Sequence, residues 1–456
     1  MTGQTKQTIL LPSFVRFALG AAVLILFFSL LMAEIYVGCR GYNELTKLHG
    51  SKTALLIIAG KTAGLLAATI VFFQFAFTAR FKIFDRIFGF DRLIFFHIIM
   101  GATSACLIIM HPILLYGSKV YQLGEFRWEL WPQMLGAAAL ILVWVIAITS
   151  LWRNFLQLKF EAWLAIHQLT FIAALTVATH SVVLGSDLRP SWPLLLWLVI
   201  IIAYITTLIW VKLIKPEMLR KNLFLVEEVT KVGYNTFNLR LIPIGGKMFD
   251  YIPGQFAFLT LYRKTPPTEE HPFTISSSPT QVGFITFTIK QSGDFTSTIY
   301  LTKPGETAAI DGPYGRFSYL RFSQIDRMIM IAGGVGLTPI ISCLRHMAAT
   351  GFDKPVILIW SNHTSKNIFF ADELKQIQTT LSNMQIYYVL SHEPSYNGLK
   401  GHINEELLRK LLPPVTAKTQ VMLCGPSPMM SSVIDALRSL GFSRGQIHTE
   451  RFALAN

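Results

Sequence analysis

Four histidines in this chain stand where an imidazole is costly. In the stretch FHIIMGATSACLIIMHPILL, residues 96–115, His97 and His111 lie 14 positions apart on one apolar segment; His167 and His180 lie 13 apart on another. One buried histidine could be a satisfied core residue or a proton relay, but four on two segments ask for a shared explanation. Haem iron accepts imidazole, and a neutral nitrogen bound to iron relieves the penalty of burial. Fourteen residues of helix rise about 21 Å and return to within about 40° of the starting azimuth, so His97 and His111 share a face near opposite membrane edges. Thirteen residues rise about 20 Å but leave His167 and His180 about 140° apart on an ideal helix, so tilt, a local distortion or off-centre placement of the haem must absorb the difference. With both segments running the same way, His97 pairs with His167 and His111 with His180. Two stacked b-type haems would then bridge the bilayer.

These ligands need helices to carry them. The 456 residues are 52% hydrophobic and only 14% charged, far from a soluble average. Long apolar runs near residues 17–37, 54–77, 93–116, 134–151, 162–184 and 192–214 crowd the first half. Each approaches the roughly 20 residues that a hydrocarbon core demands, which predicts six membrane spans. Alternate loops carry twelve Lys and Arg on one side against six on the other, which places both termini in the cytosol. The net charge of +14 partly reflects that orientation, and nothing in it requires nucleic acid. The first run is too long, and lacks the small-residue site, for a cleaved signal peptide. Cys39, Cys106, Cys343 and Cys424 form no CxxC pair, which suggests neither a disulfide framework nor an iron–sulfur site. No calcium-binding loop precedes the first span, and activity is expected to be constitutive.

From about Asn222 the rhythm changes to short alternating strands, as in LFLVEEV, PGQFAFLTL and GFITFTIKQSGD, predicting a small antiparallel barrel. From Asp326 strand, glycine-rich turn and helix alternate, predicting a parallel sheet covered on both faces. Ligands on such sheets bind beyond the carboxyl ends of the strands, where AGGVGLTP and CGPSPMM fall. Gly333, Gly334 and Gly336 alone are a weak signal, since any tight turn uses glycine. Their functional reading is that missing side chains let a pyrophosphate reach backbone N–H groups at a helix start. The expected domains are a six-helix haem domain over 1–216, a flavin barrel over 217–322 and a nucleotide-binding α/β domain over 323–456.

The ordered series PGQF, HPFTISSSP, KQSGDFT, DGPYGRF, AGGVGLTP, CGP and a terminal ERF resembles the ferredoxin-NADP reductase superfamily. The HPFT form is similar to its NADPH oxidase and ferric reductase branch, and the placement of histidines on the third and fifth spans resembles the membrane domain of the same family. The resemblance implies that Phe273 and Thr274 face the flavin ring of FAD with His271 and Pro272 beside it, and that Ser276, Ser277, Lys290, Gly293 and Thr296 gather round the FAD pyrophosphate. It implies that Gly333, Gly334, Gly336, Thr338 and Pro339 hold the phosphates of NAD(P)H, that Cys424 and Gly425 approach the nicotinamide, and that Phe452 covers the other flavin face. Members of the oxidase branch usually end on that aromatic, whereas here four residues follow it.

The implied activity is a wire from cytosolic NAD(P)H through FAD and two haems to external dioxygen, giving superoxide, with an Fe(III) chelate as the alternative acceptor. The family's oxygen-associated positions correspond here to Lys61, which keeps a charge or snorkels outward, and Leu115, which removes a donor. A third reading is an electron-donor subunit for an external redox protein. The strand PVILIW ends in Ser361, Asn362 and His363, with Lys366 nearby and no early carboxylate for a ribose hydroxyl, which leans towards NADPH with NADH as the alternative. An inner bacterial membrane is the expected location.

Overall fold

The computed structural model describes residues 11–120, 130–185, 188, 191–246, 248–264, 268–322 and 324–450. It divides into two compact units, Ser13–Lys215 and the chain from Pro216 onward.

The first unit is all helix: α1 (Ser13–Cys39), α2 (Tyr42–His49), α3 (Ser51–Thr78), α4 (Lys82–Phe88), α5 (Phe90–Gly117), α6 (Trp131–Leu151), α7 (Phe160–His167), α8 (Thr170–Leu184) and α9 (Ser191–Ile209), then a π turn (Trp210–Ile214) and α10 (Lys215–Arg220). Among the described residues, six helical segments are long and apolar enough to cross a bilayer, as the sequence predicts. Their outward faces carry Ile25, Phe95, Ile98, Ile141, Leu195 and Ile202, all exposed, which is what lipid solvates. The span containing α3 is half buried, against 17% or less for the other five, so α3 is the central rod. Its small residues explain why: Ala54, Ala63, Ala67 and Ala68 are buried, and Gly60 and Gly64 admit α5 closely.

The fifth span departs from the expected single helix. It breaks after His167, and α8 begins at Thr170. Across the break Leu169 N–H bonds to Ile166 O and Phe171 N–H to Gln168 O, three-residue closures that wind more tightly than an α-helix. Each residue in such a turn adds about 20° over the α value, so the break rotates His180 in the direction that reduces the 140° mismatch with His167.

The second unit holds two six-stranded sheets. β1 (Phe224–Gly233), β2 (Thr236–Pro243), β3 (Phe256–Tyr262), β4 (Glu270–Thr274), β5 (Ile285–Lys290) and β6 (Thr307–Tyr314) are antiparallel in the order β4-β3-β6-β1-β2-β5, with a bridge between Ile275 and Phe287 joining the two edges into a barrel. Inward residues such as Val226, Leu239, Leu241, Leu259 and Phe287 are fully buried and form its core. β7 (Arg327–Gly333), β8 (Val356–Asn362), β9 (Met384–Leu390), β10 (Leu399–Lys400), β11 (Thr419–Cys424) and β12 (Ile447–Glu450) are parallel in the order β10-β9-β8-β7-β11-β12. Helices α12 (Leu337–Thr350), α13 (Ala371–Thr380), α14 (Glu405–Leu411) and α15 (Ser427–Ser439) alternate with these strands; a short turn of helix, α11 (Asp294–Ser297), belongs to the barrel. Strand order reverses between β7 and β11, the crevice where open α/β sheets bind ligands.

Candidate functional site

In the membrane unit the four histidines meet as two pairs. The ring centres of His97 and His167 lie 5.7 Å apart, and those of His111 and His180 lie 6.3 Å apart. Two imidazoles bound to opposite faces of one iron, each at about 2 Å metal–nitrogen distance, have ring centres about 6 Å apart.

The second nitrogens are also accounted for. His111 Nδ1 lies 2.7 Å from the Gly60 carbonyl oxygen and His180 Nδ1 lies 2.8 Å from that of Pro132. A carbonyl only accepts, so each Nδ1 carries the proton and donates, leaving Nε2 with a free lone pair for a metal. The two anchors are built alike. Four residues after each carbonyl comes a glycine, Gly64 on α3 and Gly136 on α6, and a Cβ there would stand 2.7 Å from the imidazole of His111 or His180. The missing side chain is what lets the ring reach the helix backbone. In the inner pair, His167 Nδ1 lies 3.3 Å from Ser150 Oγ, which also accepts from Trp163 Nε1 at 3.1 Å, and the Trp163 ring stacks on His167. His97 Nδ1 is buried with no hydrogen-bond partner among the described residues. Facing rings at this spacing fit a bis-imidazole haem at each pair, and at the outer pair the tautomers that free Nε2 and the glycine cradle add to the fit. Among the described residues no cluster of three or more His, Cys, Asp or Glu offers a different metal site.

Lys61 follows Gly60 directly, and Gly60 touches Leu115 and the His111 carbonyl, so Lys61 and Leu115 sit at the level of the outer pair. The sequence reading overlooked Glu34. It is fully buried on α1, accepts from Thr69 Oγ1 at 3.3 Å and from Trp197 Nε1 at 3.4 Å, and so joins three spans. Its signal was plain, a lone carboxylate inside an apolar run. Gly60 and Gly64 were legible too, as a GxxxG pattern on a span.

In the barrel, His271 stacks on Phe295 at 4.1 Å and lies 2.8 Å from a Glu269 carboxylate oxygen, which accepts from Nε2–H; Phe273 lies 6.3 Å from both rings. Thr274 is buried. The Ser276 and Ser277 hydroxyls turn inward. Ser276 Oγ bonds within the barrel to Thr286 and Thr288, and Ser277 Oγ to Tyr251 OH and Thr286 N–H. A pyrophosphate at this loop would therefore meet its backbone beyond the Ser276 N–H, which itself bonds to the Thr286 carbonyl at 2.9 Å. Burial pushes the Tyr251 phenol far up, so it stays a neutral partner for Ser277. Thr296 Oγ1 caps its own turn, accepting from the N–H groups of Ser292 and Gly293 at 2.9 Å.

In the α/β domain the glycine loop and the CGP loop touch at the switch point. A Cβ on Gly336 would fall on the Cys424 carbonyl, one on Gly333 would strike Pro426 and Met429, and one on Gly425 would crowd Gly333. Gly334 has φ 53°, a left-handed value that favours glycine, and its carbonyl accepts from Trp360 Nε1 at 2.9 Å. Thr338 Oγ1 closes the first turn of α12 onto Val335 O, and Pro339 packs in the buried first turn. Cys424 is fully buried at the end of β11. At the end of β8, His363 Nδ1 lies 3.1 Å from His392 Nδ1; burial first, then the nearby His392, Lys290 and His402, hold its pKa below the ordinary value. The nearby Glu393 carboxylate is occupied by Ser365 N–H and Oγ. Phe452 lies outside the described residues.

A parallel sheet with two glycine-crossed loops at its switch point, a barrel with an aromatic and hydroxyl loop, and six apolar spans define a membrane oxidoreductase driven by a pyridine nucleotide. Comparison with known families agrees: residues 63–178 match the ferric reductase like transmembrane component, residues 222–318 an FAD-binding domain, and residues 330–435 the oxidoreductase NAD-binding domain. The chain thus has the fused architecture of ferric reductases and NADPH oxidases. The reductase component of propane 2-monooxygenase from Rhodococcus jostii (strain RHA1) is 28% identical over 237 residues, 50% of this chain and 61% of that protein. NADH-cytochrome b5 reductase 2 from Mycosarcoma maydis is 32% identical over 168 residues, 36% of this chain and 48% of that protein. The chain therefore spans less than two thirds of either relative. The FAD/NAD-binding domain of nitric oxide dioxygenase from Vibrio cholerae O1 biovar El Tor superposes with a TM-score of 0.46 at 22% identity, over 50% of this chain and 98% of that one.

Proposed function

We propose that this protein carries electrons from cytosolic NADPH across the membrane to external dioxygen, giving superoxide. The observation that carries the reading is the pair of facing imidazole sets, at 5.7 and 6.3 Å, placed fourteen residues apart along α5. When bound, FAD would convert a two-electron hydride into single electrons and two b haems would relay them. His97 with His167 would hold the inner haem and His111 with His180 the outer one. The backbone carbonyls of Gly60 and Pro132 fix the outer rings, and the missing side chains of Gly64 and Gly136 leave room for them.

In the second unit, the Ser276–Ser277 backbone, Lys290 and the Gly293–Thr296 turn would receive the FAD pyrophosphate, with Phe273, Thr274 and His271 at the ring. Gly333, Gly334, Gly336, Thr338 and Pro339 would take the dinucleotide phosphates, Cys424 and Gly425 the nicotinamide, and Phe452 the far side of the flavin. The end of β8 supports NADPH over NADH, because the nearby Glu393 carboxylate is occupied by Ser365 and no unengaged carboxylate among the described residues there would repel a 2′-phosphate. Both termini would lie in the cytosol, with the protein in a bacterial inner membrane and net negative charge moving outward.

Two other acceptors are consistent with the same wire. Leu115 at the outer pair offers no hydrogen-bond donor to oxygen, which favours an Fe(III) chelate. Relatives named as reductase components favour an external protein acceptor. Purified protein with NADPH and FAD separates the three. Cytochrome c reduction abolished by superoxide dismutase is the expected result, whereas dismutase-insensitive, anaerobic reduction of ferric citrate identifies the chelate. Activity that appears only with an added external redox protein identifies the third.

A further inference from the structure

The helix that leaves the glycine loop also grips the flavin loop. On α12, Ser342 Oγ donates to the Ser277 carbonyl at 2.6 Å and accepts from Gly254 N–H at 3.3 Å. One turn later Arg345 Nη1 donates to the Ser276 carbonyl at 2.6 Å. The rest of that guanidinium is held by Glu373 on α13, Nε and Nη2 meeting its two carboxylate oxygens at 2.6 and 2.7 Å, and it lies 4.9 Å from the Phe370 ring centre. Charge-assisted, two-pronged bonds of this kind are short and directional. The Arg345 side chain is 11% exposed, so water competes little for it.

The serine hydroxyls of the same loop are tied into the barrel, so the loop is fixed on both sides: side chains to the β5 threonines, carbonyls to α12. The first turn of α12, at Gly336 and Thr338, belongs to the dinucleotide loop. One rigid helix therefore touches both cofactor loops, while the α12 contacts to Ser276 and Ser277 use no atom that either cofactor needs.

We propose that Arg345, supported by Ser342 and Glu373, is a positioning residue for hydride transfer. It holds the flavin loop at a set distance from the glycine loop that takes the dinucleotide phosphates, and Glu373 balances its charge so that the clamp carries no net charge. The inference rests on the FAD and NADPH assignment above. In the step concerned the C4–H bond of the dihydronicotinamide breaks and the hydride takes both electrons to flavin N5, oxidising the nucleotide and reducing the flavin. Misplacing the two reacting atoms by about 1 Å can cost on the order of 100-fold in rate.

The test is anaerobic stopped-flow reduction of bound FAD by NADPH in the full-length protein. Arg345→Lys keeps the charge but loses the fork. It is expected to retain FAD, to change the NADPH dissociation constant by less than about twofold, and to lower the limiting rate of flavin bleaching by about 10- to 100-fold, with a weakened long-wavelength charge-transfer band. Glu373→Gln should move the limiting rate the same way, and the double variant should be no worse than Arg345→Lys, because both act through one group. A wild-type limiting rate in FAD-bound Arg345→Lys overturns the proposal. Should that variant lose FAD, Ser342→Ala, which removes a hydroxyl and no charge, is read by the same criterion: a slowed limiting rate supports the clamp and an unchanged one refutes it. Failure of the underlying assignment looks different, since wild-type protein would then hold no FAD or show no bleaching by NADPH.

Discussion

Alanine at Gly64 poses a sharp test of the outer haem assignment, because the substitution should improve the helix that carries it. In an α-helix interior Ala is favoured over Gly by about 1 kcal/mol. The new methyl, however, would stand 2.7 Å from His111 Nδ1 and 2.9 Å from Cε1, and the ring must retreat by roughly 0.7 Å to reach ordinary contact at 3.4 Å. That movement breaks the 2.7 Å bond to Gly60 O, worth about 1 kcal/mol, and adds an overpacking cost of about 1–3 kcal/mol. After the helix gain the net cost to the liganded state is about 1–3 kcal/mol, in line with the roughly 10- to 100-fold loss of metal affinity seen when an outer-shell partner is removed. Gly136→Ala should act in the same way on His180. Gly117→Ala, at the end of α5 where a Cβ would meet nothing within 4 Å, is the control. Haem per polypeptide by pyridine haemochrome, together with a redox titration, reads the result. Gly64→Ala and Gly136→Ala should fall from two haems towards one and lose one midpoint, while Gly117→Ala keeps both. Two haems with wild-type midpoints in both outer-pair variants would refute the idea that these glycines seat the ligands.

Glu34→Leu should lower the thermal midpoint in detergent, since it strands Trp197 Nε1 and Thr69 Oγ1 at about 1–3 kcal/mol, whereas Glu34→Gln should sit close to wild type. Gly336→Ala drives a methyl into the Cys424 carbonyl and should weaken NADPH binding by about tenfold or more, from an overpacking cost of about 1–3 kcal/mol, measured by anaerobic titration. His448 lies half-buried against Phe322 and donates to Gln420 Oε1, and burial, then Arg321, lowers its pKa from 6.5 to about 4. Above about pH 6.5 it is neutral folded or unfolded; from there down to about pH 4 the unfolded chain binds a proton that the folded one refuses, so stability drains as pH falls. FAD release on heating should come earlier across that window, and His448→Gln should flatten the trend.

Much of this architecture could be read from the chain because its signals are coarse. Apolar runs of the right length mark the six spans, and the change from period-two strands to strand, glycine and helix marks the two soluble folds. What escaped was local or non-local in a way no pattern encodes. The helix break at Gln168–Leu169 carries neither proline nor glycine, so the sequence left open whether tilt, a local distortion or haem placement absorbs the 13-residue spacing of His167 and His180. The family resemblance put Ser276 and Ser277 round the FAD pyrophosphate, yet their hydroxyls bond to Thr286, Thr288 and Tyr251, partners that only the folded barrel brings near. Arg345 and Glu373, 28 positions apart, look like ordinary charged helix residues until α12 and α13 are packed.

The anchors of His111 and His180 have a consequence for how such a protein can change. An oxygen of the main chain is present whatever residue occupies its position, so site 132 can drift without removing the acceptor, whereas site 60, where a Cβ would stand 2.9 Å from Leu115, and the residue one turn after each carbonyl must stay small. The unit is a generic socket: any membrane rod with a glycine facing an approaching ring can seat an imidazole and set its proton, which makes it a portable element for building porphyrin conduits into designed bundles.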